Sequence, residues 1–182
     1  MRSSDGRSRS PALQDPGERA LLDRHTIKMF ALHDEIALRL DEGRYVTADS
    51  PMRAQRICEQ IGRFFRREGH FDFAPITAGY FDNAVVRLVD SPGLLAHARI
   101  IGGAFGLDVI DGKFGVSWVW LHPYLRGQGV FKRECEMIRR KYPNLPVHGP
   151  FTDAGARAFA KIGWLPSDNP SVARRVFRWR SS

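Results

Sequence analysis

Apolar and polar positions follow two different rhythms along this chain, and the places where the rhythm changes mark its elements. Within residues 50–69, Ile57, Ile61, Phe64 and Phe65 recur at helical spacing. Ser50 is a candidate N-cap there, and Pro51 suits the first helical position. Residues 84–89 are apolar and β-branched, Ser91-Pro92-Gly93 reads as a turn, and residues 94–105 form a second apolar run, so the pattern predicts two strands joined by that turn. Asp111-Gly112 offers another turn before residues 114–121, whose aromatic and branched side chains on both faces predict a central strand. Residues 24–40 fit both rhythms: Ile27, Met29 and Ala31 alternate as in a strand, whereas Leu32, Ile36 and Leu40 fall on a helical stripe.

The second half opens on His122-Pro123 and an Arg-Gly-Gln-Gly loop, after which Val130, Phe131, Cys135, Ile138 and Tyr142 predict a helix that ends at Pro143. Residues 147–151 form a short strand candidate that Pro146 and Pro150 prevent from pairing fully, so it is expected to splay from its neighbour. Thr152 or Asp153 caps a further helix with Ala156, Phe159, Ala160 and Ile162 inward and Gly163 at its stop. Residues 172–179 alternate apolar and Arg positions as a last strand. This succession predicts an α/β or α+β domain with a mixed sheet.

Composition narrows the picture. The 182 residues, 43% hydrophobic, suit one domain with a substantial core, expected over residues 19–182. Residues 1–18, rich in Ser, Arg, Gly and Pro, are expected to be a disordered basic leader. With 28 Lys and Arg against 20 Asp and Glu, the formal charge of +8 favours anionic partners: coenzyme phosphates, nucleic acid or acidic protein surfaces. The predicted helix over residues 50–69 carries Arg53, Arg56, Arg63, Arg66 and Arg67 on its polar face, which reads either as a solvated face or as an anion-binding one. Cys58 and Cys135 are expected as free buried thiols, and no apolar run suggests a secretory h-region or a membrane span, so the expected setting is cytoplasmic with no membrane partner. Zinc-ligand spacing, a Gly-x-x-x-x-Gly-Lys-Ser/Thr loop and a Gly-x-Ser-x-Gly elbow are all missing, so no metal, nucleotide triphosphatase or serine hydrolase chemistry is expected. Trp118, Trp120, Trp164 and Trp179 could stack on bases, but two of them sit two apart on one strand, which suits core packing.

The loop carries the most chemistry. A strand that delivers the chain to two glycines and then to a helix N-terminus can hold a pyrophosphate, because the glycines allow close approach while the unpaired N–H groups and the dipole attract anionic oxygens. Arg126-Gly127-Gln128-Gly129-Val130, after a strand ending in His122-Pro123, resembles the coenzyme A signature of the GNAT acetyltransferase superfamily: Gln or Arg, two residues, Gly, one residue, Gly or Ala. Phe131 stands where that pattern has the small residue, so its ring must turn away from the phosphates or narrow the site. Downstream, residues 151–164, ending in Lys161-Ile162-Gly163-Trp164, are similar to the family's strand-to-helix segment, in the expected order and at the expected separation. The resemblance covers residues 80–180.

The resemblance implies a mostly antiparallel central sheet flanked by helices, with a splayed strand pair holding coenzyme A. It implies an N-acyltransferase, most simply one that moves an acetyl group from acetyl-coenzyme A to an amine. Backbone N–H groups of Arg126, Gly127, Gln128, Gly129, Val130 and Phe131 would hold the pyrophosphate, with Thr152 at the next helix start, and main-chain groups of Trp118, Val119 and Trp120 would bind the pantetheine arm. Phe159 occupies the position where the family often has a Tyr acid, so thiolate departure falls to water, Tyr124 or His148. Candidate bases are His148 first, then His122, His97, Asp108 and Asp111, or an ordered water. Two other functions remain open: a nucleic-acid-binding or nucleic-acid-modifying protein of the same fold, and a non-catalytic scaffold. The acceptor amine is not legible.

Overall fold

A computed structural model describes residues 29–33, 36, 40, 44–69, 76–77, 79–95, 98–110, 112–148 and 152–164. The expected leader at residues 1–18, the candidates His97 and Asp111, and the expected strand at 172–179 lie outside the described residues.

The chain runs β1 (Phe30–His33), β2 (Tyr45–Val46), α1 (Met52–Gly69), a 3-10 turn (Tyr80–Asp82), β3 (Ala84–Leu95), β4 (Ala98–Ile110), β5 (Lys113–Leu121), a second 3-10 turn (Pro123–Leu125), α2 (Val130–Lys141) and α3 (Asp153–Lys161). All four strand pairings are antiparallel: β2 with β3, β3 with β4, and both β1 and β5 with β4. β1 meets β4 at Ala98 to Ile101 and β5 meets it at Gly103 to Ile110, so the two share one edge of β4 end to end. Among residues 24–40, the alternating pattern therefore wins at Phe30–His33.

Helices cover both faces of the sheet. Ala54, Ile57, Cys58 and Ile61 of α1 pack on Val86, Leu88, Ala104, Trp118 and Trp120. On the other face, Val130, Cys135 and Ile138 of α2 and Phe159 of α3 pack on Val89, Phe105, Leu107 and Val116. The result is a mixed α/β layer structure, as the element order predicts. Among the described residues, no helix is long and apolar enough to cross a membrane.

Three local expectations need correction. Ser91-Pro92-Gly93 does not turn the chain: β3 continues to Leu95, and Asp90 opposes Ile101 while Leu94 opposes Arg99. Three residues thus bulge opposite one, a position that tolerates a proline without an N–H. Ser50 does not cap α1 with its side chain; its Oγ accepts from Thr47 N at 2.9 Å, and Pro51, one position ahead of the helix, accepts from Ala54 N and Gln55 N. Finally, β5 is not central among the described strands. Its apolar residues on both faces are covered by helices, and among the described residues its far edge pairs with Val147 through a single parallel bridge from Val116.

Candidate functional site

That single bridge creates the site. Val116 N donates to Pro146 O at 2.9 Å and His148 N donates to Val116 O at 2.7 Å, and no further pairing joins the two segments among the described residues. Beyond the bridge lies a cavity of about 410 Å³, in the size range of small-molecule sites, bounded by β5, the last turn of α1, the glycine loop and the first turns of α3.

The ladder determines which backbone groups face this cavity. His122 N donates to Gly102 O at 2.7 Å, and the register then runs Leu121↔Gly103, Trp120↔Ala104, Val119↔Phe105 and Trp118↔Gly106. Antiparallel pairs alternate between exchanging both hydrogen bonds and exchanging none. His122, Trp120 and Trp118 therefore point their N–H and C=O groups at β4, whereas Val119 and Leu121 point theirs away. The Leu121 carbonyl accepts from Arg126 Nε at 2.9 Å, which leaves the Val119 N–H and C=O, with the Leu121 N–H, as the open edge among the described residues. A bulge sets this phase: Gly106 opposes Trp118 while Leu107 opposes Val116, so Ser117 is the extra residue, and its Oγ donates to Gly106 O at 3.2 Å.

At the mouth, Gly127 (φ 71°) and Gly129 (φ 75°) both hold the left-handed conformation, and a Cβ built on either would meet nothing within 4 Å. Glycine is required here by the backbone and not by crowding. Gly129 starts α2 with no side-chain cap, so the first N–H groups of Val130, Phe131 and Lys132 open onto the space before the helix. By contrast, Thr152 caps α3, its Oγ1 accepting from Gly155 N at 3.1 Å, while still lining the cavity.

The side chains of the loop do different work from its backbone. Arg126 forms a two-pronged ion pair with Glu68 of α1, at 2.5 Å and 2.7 Å, and the Trp120 indole donates to the same carboxylate at 2.8 Å. Gln128 closes on the Tyr124 carbonyl. Phe131 turns into the core, stacked on Phe105 with ring centres 5.8 Å apart and set edge-on to Phe159 at 5.0 Å. The two residues that depart from the family pattern thus touch each other and share one apolar cluster.

The proposed acid–base residues lie elsewhere. His122 is buried; its Nδ1 accepts from Tyr124 N at 3.3 Å and its ring stacks on Tyr124 at 5.1 Å, so it holds the turn after β5. Tyr124 is exposed. His148 donates from Nε2 to Lys113 O at 3.0 Å, and its ring fills the place a Cβ on Gly115 would take. None of the three lines the cavity. Asp108 belongs to a half-buried group around Tyr80: the Trp118 indole donates to Tyr80 Oη at 3.1 Å, Ser117 and Asp108 hydrogen-bond the same phenol, and the buried Asp108 Oδ1 has no partner among the described residues. Burial, reinforced by the Asp108 charge, pushes the Tyr80 phenol well above its ordinary range.

Glu68 and Phe65, which also line the cavity, carry no sequence signal, because Glu68 is 58 residues from the arginine it pairs with. Among the described residues, no group of three His, Cys, Asp or Glu could hold a metal ion. No protein-family model matches the chain, and no curated protein matches it.

Proposed function

We propose that the protein is a GNAT-like, acyl-coenzyme A dependent N-acyltransferase, most simply an acetyltransferase, in which an amine attacks the thioester directly. One observation carries the reading: the open Val119 backbone edge and the uncapped glycine-loop start of α2 face the same cavity. A pantetheine arm is a chain of amides that can pair with a strand edge, and a pyrophosphate suits N–H groups at a helix N-terminus. Val119 would align the arm, and backbone groups from Gly127 to Phe131 would hold the phosphates. Arg126 supports the loop through Glu68 and does not need to touch the ligand.

In this reading the amine nitrogen bonds to the thioester carbonyl carbon, the carbon–sulfur bond breaks, and the thiolate takes up a proton. The ammonium proton passes to water, because the ionisable side chains lining the cavity among the described residues are Glu68 and Arg126, which are committed to each other. The protein's contribution is then chiefly alignment of the two reactants. His148, His122 and Tyr124 take no chemical step.

Isothermal titration with acetyl-coenzyme A, followed by thiol-release assays over an amine panel, tests the reading. A dissociation constant on the order of micromolar and turnover that follows the ionisation of the amine itself are expected. No heat with acetyl- or longer acyl-coenzyme A at saturating ligand would sink it, and binding without turnover would make the protein a scaffold.

A further inference from the structure

The outward face of α1 carries four arginines that make no ion pair among the described residues. Arg53, Arg56, Arg63 and Arg67 are all exposed, and at helical spacing they fall within an arc of about 80° along about 21 Å of axis. Arg53 reaches the Ala31 carbonyl at 3.5 Å, and Arg56, Arg63 and Arg67 have no ion pair among the described residues. On α2 every cation but Arg140 is engaged: Lys132 with Glu136, Arg133 with Glu134, Arg139 with Gly163 O and the Trp164 ring, and Lys141 over Tyr45. The acids of α1 are Glu59 and Glu68, and Glu68 is neutralised by Arg126.

Three properties select the partner. The apolar stripe of α1 is buried against the sheet, so the helix has no free face to insert into a lipid surface. Every cation on it is arginine, whose planar fork pairs with two phosphate oxygens at once. The array is straight and long, which suits charges repeated at fixed spacing; over 21 Å a nucleic-acid strand presents about six phosphates at about 3.4 Å each. The last turn of the same helix, through Phe65, Glu68 and Gly69, lines the cavity, so the array ends at its mouth.

We propose that the outward face of α1 docks the phosphodiester backbone of a nucleic-acid strand running toward the cavity mouth. This docking is independent of what the cavity binds. Four phosphate contacts give a slope of log K against log salt of about −3, a loss of roughly 50- to 150-fold between 50 and 200 mM salt.

Fluorescence anisotropy of the full chain with 20-nucleotide single-stranded RNA, single-stranded DNA and duplex DNA across that salt range tests it. The triple variant R56Q/R63Q/R67Q should flatten the slope by about 2 to 3 while its circular dichroism and melting stay those of the wild type. The charge-matched triple R140Q/R157Q/K161Q, on exposed positions of α2 and α3, should leave the slope within about 1 of wild type. Equal weakening by both triples, no binding of any strand at 25 mM salt, or equally tight and equally α1-dependent binding of a polyglutamate of the same length each overturns the proposal. The three strands identify which form of nucleic acid is preferred.

Discussion

Gly129→Ala isolates the phosphate end of the cavity from the stability of the fold. Gly129 holds φ at 75°, and a Cβ there meets nothing within 4 Å. Gly112, in the β4–β5 hairpin, is its match, with φ 73° and the same open surroundings. Each alanine is therefore penalised by the left-handed backbone alone, about 1–2 kcal/mol. For a chain of this length, that lowers Tm by roughly 2–8 °C in both variants. They differ in what the open space is for. At Gly129 the methyl group stands before the uncapped start of α2, where loss of one charge-assisted hydrogen bond to a phosphate costs about 1.5–3 kcal/mol, or roughly 10- to 150-fold in Kd. Titration calorimetry with acetyl-coenzyme A at 25 °C should show that loss for G129A, with G112A indistinguishable from wild type. Equal affinity in all three proteins would refute the loop's role, and an equal loss in both variants would trace the effect to stability.

Other expectations concern the frame around the site. Arg87 and Glu134 form a buried pair, with Nε and Nη2 at 2.9 Å and 2.7 Å from Oε2, so Glu134→Leu should cost about 3–5 kcal/mol in urea unfolding and Arg87→Met beside it should recover most of that. A single-variant loss under about 1 kcal/mol would show that the pair is already well solvated. Burial raises both the Cys58 and Cys135 thiols, so neither should react with a thiol-specific disulfide reagent at about pH 8 until the protein unfolds; fast native reaction of either contradicts the packing. Burial also lifts the Asp90 carboxyl above 3.8, outweighing Arg44 at 2.6 Å and Arg99 at 3.5 Å. A raised folded-state value means the group's stabilising contribution is complete below about pH 3.8 and is lost as pH rises through it. Asp90→Asn should therefore gain stability relative to wild type as pH rises from about 3.8, and a relative loss over that rise would overturn the assignment.

Elements whose pattern is local were legible in the sequence. The stripe Ile57, Ile61, Phe64 predicts α1, Asp111-Gly112 predicts the hairpin turn, and Gly127 and Gly129 mark a left-handed loop before α2. Features set by partners far along the chain were not. Ser91-Pro92-Gly93 has the composition of a turn, yet continued pairing of Leu94 and Leu95 with β4 overrides it. Phe114 to Leu121 reads as a central strand because burial by a helix and burial beside a strand leave the same apolar pattern. At the site, the motif locates the left-handed glycine loop before α2, whereas His148 and His122, chosen for their chemistry, are occupied by local bonds that their residue type does not reveal.

The extra residue at Ser117 decides what kind of side chain the cavity meets. In an uninterrupted strand, Val116, Trp118 and Trp120 would share one face, and both indoles would stand on the side of α2 and α3. With the bulge, Val119 and Leu121 take that side and the indoles lie under α1. The room beside β5 is thus a matter of counting: Ser117 taken up as an ordinary strand residue would swing two tryptophans into the space, whereas deleting it would leave both indoles under α1.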